Sequence, residues 1–312
     1  MGYGPLPGAP DSSITLVDGP WIHRTVPANG ISLHVAELGI GPLVLLLHGF
    51  PQYWWAWRQQ LVDLAAAGFR AVAVDLRGYG SSDKPPRGYD PPTLAADVAK
   101  LVASLGESEA IVAGTDIGGL LGWTMATTHP QVVRALAVIG APHPLRLRSA
   151  IRHDPLQRNA SAYLLRTFQL PRRPEHLLAR DGHWVRELFD AWTGPRWRGT
   201  PGYEADVPRY AQAMRIHPVY FCAAEYFRWM VRSQPRADGR RYAESLLRPV
   251  TAPVLHLQGG ADTCMLPSTS AGSDRYVSGT YDYRVLEGLG HFPHNENPDL
   301  ISEELIKFAK SL

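Results

Sequence analysis

The sequence predicts an α/β protein: one mostly parallel, doubly wound sheet with a helical lid inserted between two of its strands. Three observations carry that expectation. Continuously apolar runs of strand length occur at Leu43 to Leu47, Ala71 to Val74, Ala110 to Ala113, Ala135 to Ile139 and Val254 to Leu257, as expected of strands covered on both faces. Segments of helical period, such as Thr93 to Leu105 and Leu120 to Thr128, lie between them, and strand, helix, strand in repetition builds a parallel sheet with helices on its faces. Between Ile139 and Val254 the alternation gives way to a stretch rich in Arg, Trp, Tyr and Leu and broken by Pro171, Pro174, Pro195, Pro201 and Pro208.

In chain order, residues 1–20 are rich in Gly and Pro, with neither a basic leader nor a long apolar block, and are expected to be a flexible segment rather than a signal peptide. Ile22 to Pro27 and Ile31 to Leu38 are β-prone runs around Ala28-Asn29-Gly30, and Asn-Gly between such runs signals a hairpin. The α/β core is expected to span 21–143 and to resume at 247–312. Residues 144–246 form the helical cap, which begins at Pro144 after Gly140-Ala141-Pro142-His143 and ends before Pro249 and Pro253 mark the return to the sheet. Inserted at the carboxyl ends of the strands, the cap would cover the crevice where open α/β sheets bind ligands.

Composition narrows the classes. The 312 residues are 45% hydrophobic and 19% charged, enough to bury a sizeable core and not a disordered composition. A net charge of +2 gives no general reason to expect nucleic acid or membrane as a partner, and no apolar run is long enough to span a bilayer. The charge is uneven, however: 144–246 carries eighteen arginines, no lysine and ten acids, an excess of eight positive charges, against a deficit of six elsewhere. Cys222 and Cys264 lie far apart without metal-ligand spacing, so neither a disulfide framework nor a zinc site is expected. A reducing, cytoplasmic setting fits, with the two thiols as small core residues.

The chemistry is announced by Gly114-Thr115-Asp116-Ile117-Gly118, a G-x-D-x-G elbow directly after the apolar run Ala110 to Ala113. A strand feeding a tight glycine-flanked turn into a helix presents its middle side chain on a strained, exposed point. Serine in that slot would attack acyl carbons. An aspartate there can instead attack an sp3 carbon and form an alkyl ester, so its substrate should carry a leaving group such as an epoxide oxygen or a halide.

Three further segments complete an ordered set. His48-Gly49-Phe50-Pro51 follows a buried strand and can turn backbone N–H groups toward an oxyanion, with Phe50-Pro51 a candidate cis bond. Asp262 lies in Gly259-Gly260-Ala261-Asp262, past the Val254 to Leu257 strand, and His291 lies in Gly288-Leu289-Gly290-His291-Phe292. Nucleophile, acid, histidine is the order in which a hydrolase-type triad follows along this kind of sheet. Each residue alone reads as a turn or core residue, His294 included; their joint placement after strand ends does not.

With these residues in place the chain resembles the epoxide hydrolases of the α/β-hydrolase fold, from about Trp21 to the C-terminus. Trp54-Trp55-Ala56-Trp57-Arg58 and Asp75-Leu76-Arg77-Gly78-Tyr79-Gly80-Ser81-Ser82-Asp83-Lys84-Pro85 are similar to family signatures. The resemblance implies Asp116 as nucleophile, His291 as base, Asp262 as its orienting acid, and the amides of Phe50 and Ile117 as oxyanion hole. It implies no cofactor and no metal, a small apolar epoxide and water as reactants, and a monomer or homodimer.

The cap departs from the family pattern. Two tyrosines usually donate to the epoxide oxygen, one four residues before the Phe of a Phe-Gln pair and one directly before an Arg. Here those places hold Leu164 and Phe227, and tyrosines stand one position earlier, at Tyr163 and Tyr226. One residue on a regular α-helix is a rotation of about 100°, so Tyr163 and Tyr226 qualify as ring-opening acids only if the cap backbone differs. They otherwise read as cap-core aromatics. A haloalkane dehalogenase would use the same triad but usually has a tryptophan after the nucleophile, where this chain has Ile117, and the arginines of a fluoroacetate-type enzyme are missing from Ile117-Gly118-Gly119-Leu120. A binding protein with an altered lid is the reading from a different class, and an intact triad argues against it.

Overall fold

Every one of the five apolar runs is a strand. A computed structural model describes residues 8–312, and its eight-stranded sheet comprises β1 (Ile22–Ala28), β2 (Ile31–Leu38), β3 (Leu43–Leu47), β4 (Arg70–Val74), β5 (Ala110–Thr115), β6 (Val133–Ile139), β7 (Val254–Gly259) and β8 (Tyr281–Leu286). Their order across the sheet is β1-β2-β4-β3-β5-β6-β7-β8. β1 and β2 pair antiparallel, as do β2 and β4; all later neighbours are parallel. The hairpin turns at Asn29 and Gly30, both with positive φ, which is what an Asn-Gly turn supplies. β8 has no continuous apolar run. It is the outermost strand, half-exposed on both faces, so burial does not write a pattern into it.

Helices α1 (Arg58–Ala66), α2 (Pro91–Ser104) and α3 (Asp116–Thr128) connect the first core strands. Between β6 and β7 come α4 (Pro144–His153), α5 (Pro155–Ala160), a π-helical turn at Tyr163–Thr167, α6 (Arg173–Ala179), α7 (His183–Trp192), α8 (Pro201–Arg215), α9 (Val219–Arg232) and α10 (Ala237–Ser245). After β7 follow α11 (Pro267–Ser270), α12 (Pro293–Glu296) and α13 (Pro298–Lys310). Among the described residues no helix is long and apolar enough to cross a membrane.

The segment expected to be flexible divides. Residues 1–7 lie outside the described residues, but 12–15 form a 3-10 turn capped by Asp11. Thr15 is buried there: its carbonyl accepts from the Trp54 indole, and Ser81 Oγ donates to the Ser12 carbonyl. A chain end that satisfies a buried indole N–H is held, because releasing it would strand that donor.

Three histidines of the core are buried and neutral. His143 caps α4 and stacks on Tyr276, His256 sits in β7 beside Tyr281, and His294 in α12 packs at a tilt against Trp57 and bonds Gln52. Burial depresses each pKa to about 3. These groups bind protons in the unfolded chain near pH 6.5 and resist them when folded, so their contribution is present above that pH and is lost as pH falls toward 3. By about pH 5 each should have given up roughly 2 kcal/mol. The urea midpoint should therefore fall steeply between neutrality and pH 5; a flat midpoint would refute the neutral burial.

Candidate active site

Asp116 stands where β5 meets α3, in the left-handed region at φ 47°. A non-glycine residue held there stores strain that the surroundings must compensate. The flanking glycines permit the turn. A Cβ on Gly114 would come within 2.4 Å of the Gly118 carbonyl oxygen, and one on Gly118 within 2.3 Å of the Leu47 carbonyl oxygen. The elbow thus presses strand, turn and helix too closely for a side chain at either glycine.

The structure brings Asp116, His291 and Asp262 together. His291 Nδ1 lies 2.8 Å from Asp262 Oδ2, and its Nε2 lies 3.7 Å from Asp116 Oδ1. Asp262 Oδ1 accepts from the amides of Cys264 and Met265, while its Oδ2 also takes Gln258 Nε2. The acid is thereby fixed and left able only to orient Nδ1. Nε2 is buried with no hydrogen-bond partner; at 3.7 Å it is too far for a direct bond to Asp116 and close enough to share a water with it. Burial opposes charge on the imidazole, but Asp262, Cys264 and Asp116 outweigh it and hold the His291 pKa well above its ordinary value.

The two expected oxyanion donors flank the nucleophile. The Phe50 amide donates to Asp116 Oδ2 at 2.8 Å, just ahead of a Phe50-Pro51 bond that is cis. Ile117 lies in the first turn of α3, where backbone N–H groups have no carbonyl of their own helix to bond. Phe50 carries an aromatic lid: its ring meets Phe227 and Phe168 edge-on, at 4.9 and 5.6 Å.

The two candidate tyrosines part company. Tyr226 donates its hydroxyl to the Arg77 carbonyl at 2.7 Å, away from the triad. Tyr163 is held differently, because it opens the π-helical turn, closed by a bond from the Phe168 amide to the Tyr163 carbonyl. A π-turn absorbs one extra residue relative to an α-turn, which is the single-residue offset the sequence showed. Its hydroxyl lies 3.4 Å from Cys264 Sγ, and its ring tilts against Trp192, which meets the His291 ring edge-on. Burial first, then Cys264 and Asp116, hold the Tyr163 pKa well above the usual phenol value, so it stands protonated as a donor. Phe227 occupies the other family position with no hydroxyl to offer.

Residues that sequence reasoning missed are Cys264, Trp192 and Glu296. Glu296 Oε2 accepts from the Gly194 and Gly290 amides and Oε1 from Phe292, tying both sides of His291 to the cap. Burial raises its pKa. An acid closing a short helix five residues after the histidine was the available signal. Cys222 and Cys264 are both free and buried. Among the described residues no cluster of His, Cys, Asp or Glu is arranged to hold a metal.

Comparison with known proteins agrees with this geometry. A family model described as the alpha/beta hydrolase fold matches residues 42–298. Epoxide hydrolase 3 of Xenopus tropicalis is 40% identical, with 99% of this chain and 83% of that protein covered. The AB hydrolase superfamily protein YfhM of Bacillus subtilis is 31% identical, with 92% and 97% covered. Solved structures of epoxide hydrolases from Vigna radiata and an endophytic Streptomyces superpose with TM-scores of 0.79 at 28% and 29% identity. Each covers 94% of this chain, and 98% and 96% of the respective neighbours.

Proposed function

Since the chain belongs to the epoxide hydrolases of the α/β-hydrolase fold, we propose that it opens an apolar epoxide to a vicinal diol through an ester on Asp116. The observation that carries this is a carboxylate at the elbow, held between a backbone amide and an imidazole whose far nitrogen is free. Asp116 Oδ1 attacks one ring carbon, the ring C–O bond breaks, and the Tyr163 hydroxyl gives its proton to the departing oxygen. Epoxides need that proton because an alkoxide leaves poorly.

The ester removes the negative charge of Asp116, and with it one of the partners that keep His291 charged. Neutral His291 then takes a proton from water, Asp262 stabilises the imidazolium, and the resulting hydroxide attacks the Asp116 carbonyl carbon. The amides of Phe50 and Ile117 receive the oxyanion, each worth roughly 3–4 kcal/mol to such a step. Collapse breaks the acyl C–O bond, His291 gives its proton to the leaving alkoxide, and the proton that arrived with the hydroxide passes from the Asp116 carboxyl to the Tyr163 phenolate, restoring both groups. One oxygen of Asp116 now comes from solvent.

That last point supplies the test. With enzyme in excess in 18O-labelled water, the first-turnover diol should carry no label and the Asp116 peptide should carry one. Label in the diol instead would mean direct attack by water and would sink the ester.

A further inference from the structure

Cys264 stands two residues past Asp262, so one loop carries both the acid that orients His291 and a thiol that faces the cap. That loop is pinned. The Asp262 carboxylate accepts from the Cys264 amide, the Thr263 hydroxyl donates to the Ala191 carbonyl near the end of α7, and Gln157 of α5 donates to the Cys264 carbonyl. The sulfur is 1% exposed and meets the Tyr163 hydroxyl at 3.4 Å. Among the described residues it is the one hydrogen-bond partner that hydroxyl has.

Once Tyr163 has protonated the departing oxygen, its phenolate is left among the rings of Trp192, Phe168 and Phe227 until Asp116 returns a proton. A charged oxygen beside aromatic rings is costly unless a hydrogen is offered to it. The second cap place, where a hydroxyl would meet that need, holds Phe227. The thiol qualifies instead. Burial raises its pKa against the pull of His291, so the sulfur keeps its hydrogen, and a protonated sulfur is a donor, though a weak one. As a thiolate it would repel the phenolate; as a thiol it shares one hydrogen with it.

Resting on the epoxide hydrolase reading, we propose that Cys264 is a positioning residue of the ring-opening step, its S–H the hydrogen-bond donor that holds the Tyr163 oxygen after Tyr163 has given its proton away. The sulfur forms no covalent bond and is neither oxidised nor reduced. It acts through Tyr163 alone.

The test places 3-fluorotyrosine at position 163 of the full chain, which gives the phenol a 19F signal and brings its ionisation into reach. In Cys264→Ala the label should ionise about one pH unit higher than in the chain that keeps Cys264, the worth of one hydrogen bond to a charged oxygen. Cys264→Ser, which retains a donor at the same place, should return the midpoint to its original value or below. An unchanged or lower midpoint in Cys264→Ala would overturn the proposal. So would an equal rise in Cys264→Ser, which is what a sulfur that only fills space would give. Kinetics read the same contact during the reaction. In a His291→Gln background, where ester formation is seen alone, Cys264→Ala should slow the appearance of the adduct about three- to tenfold, the share of that hydrogen bond made in the transition state, and Cys264→Ser should restore it. An adduct that forms at one rate in all three chains overturns the proposal and leaves the ester standing. If no adduct forms in any of them, the ester reading fails, and the fluorine midpoints still decide whether the thiol serves the phenol.

Discussion

His291→Gln should stop turnover while leaving the first chemical step intact. Gln keeps a planar polar group in a site whose shape is set by Asp262 below and Trp192 beside, but it cannot accept a proton from water. Attack by Asp116 on the epoxide does not need His291 as a base. The ester should form and persist, so intact-protein mass analysis should show one substrate mass added to the chain. The steady-state rate should drop on the order of 10²–10⁴-fold, the usual worth of a general base. A variant that turns over at full rate with no adduct contradicts the assignment of the base.

Tyr163→Phe should produce the opposite pattern, no adduct and little turnover. If Tyr163 is the one cap hydroxyl that reaches the epoxide oxygen, its loss slows ester formation by about 10²–10⁴-fold. Stopped-flow or quenched single turnovers read that step directly. The other cap place is Phe227, whose ring lies 4.9 Å from that of Phe50, so adding Phe227→Tyr to Tyr163→Phe should return part of the rate. Tyr226→Phe should leave ester formation unchanged, because the Tyr226 hydroxyl is occupied by the Arg77 carbonyl. A slow Tyr226→Phe beside a fast Tyr163→Phe would exchange the two assignments.

The parts legible in the sequence are those where burial or backbone geometry imposes a local rule. Strands covered on both faces read as unbroken apolar runs, and the G-x-D-x-G elbow reads directly because no side chain larger than hydrogen fits at Gly114 or Gly118. β8 escaped because an edge strand with half-exposed faces carries no such run. The cap was legible only as an interruption. Its helices pack by tertiary contact, and nothing local distinguishes a π-turn from an α-turn at Tyr163–Thr167. Tyr163 and Tyr226 were thus equivalent in the sequence, each one position early, and only the backbone of one of them had changed. Glu296 was hidden for a different reason: its three partners are amides, which every residue possesses.

Glu296 also constrains how molecules come and go. One carboxylate grips Gly194, between α7 and α8, and the two residues on either side of His291. A cap that swung upward at this edge would drag the imidazole off its water and out of line with Asp262. Lifting the cap at this edge and keeping the imidazole aligned are therefore mutually exclusive.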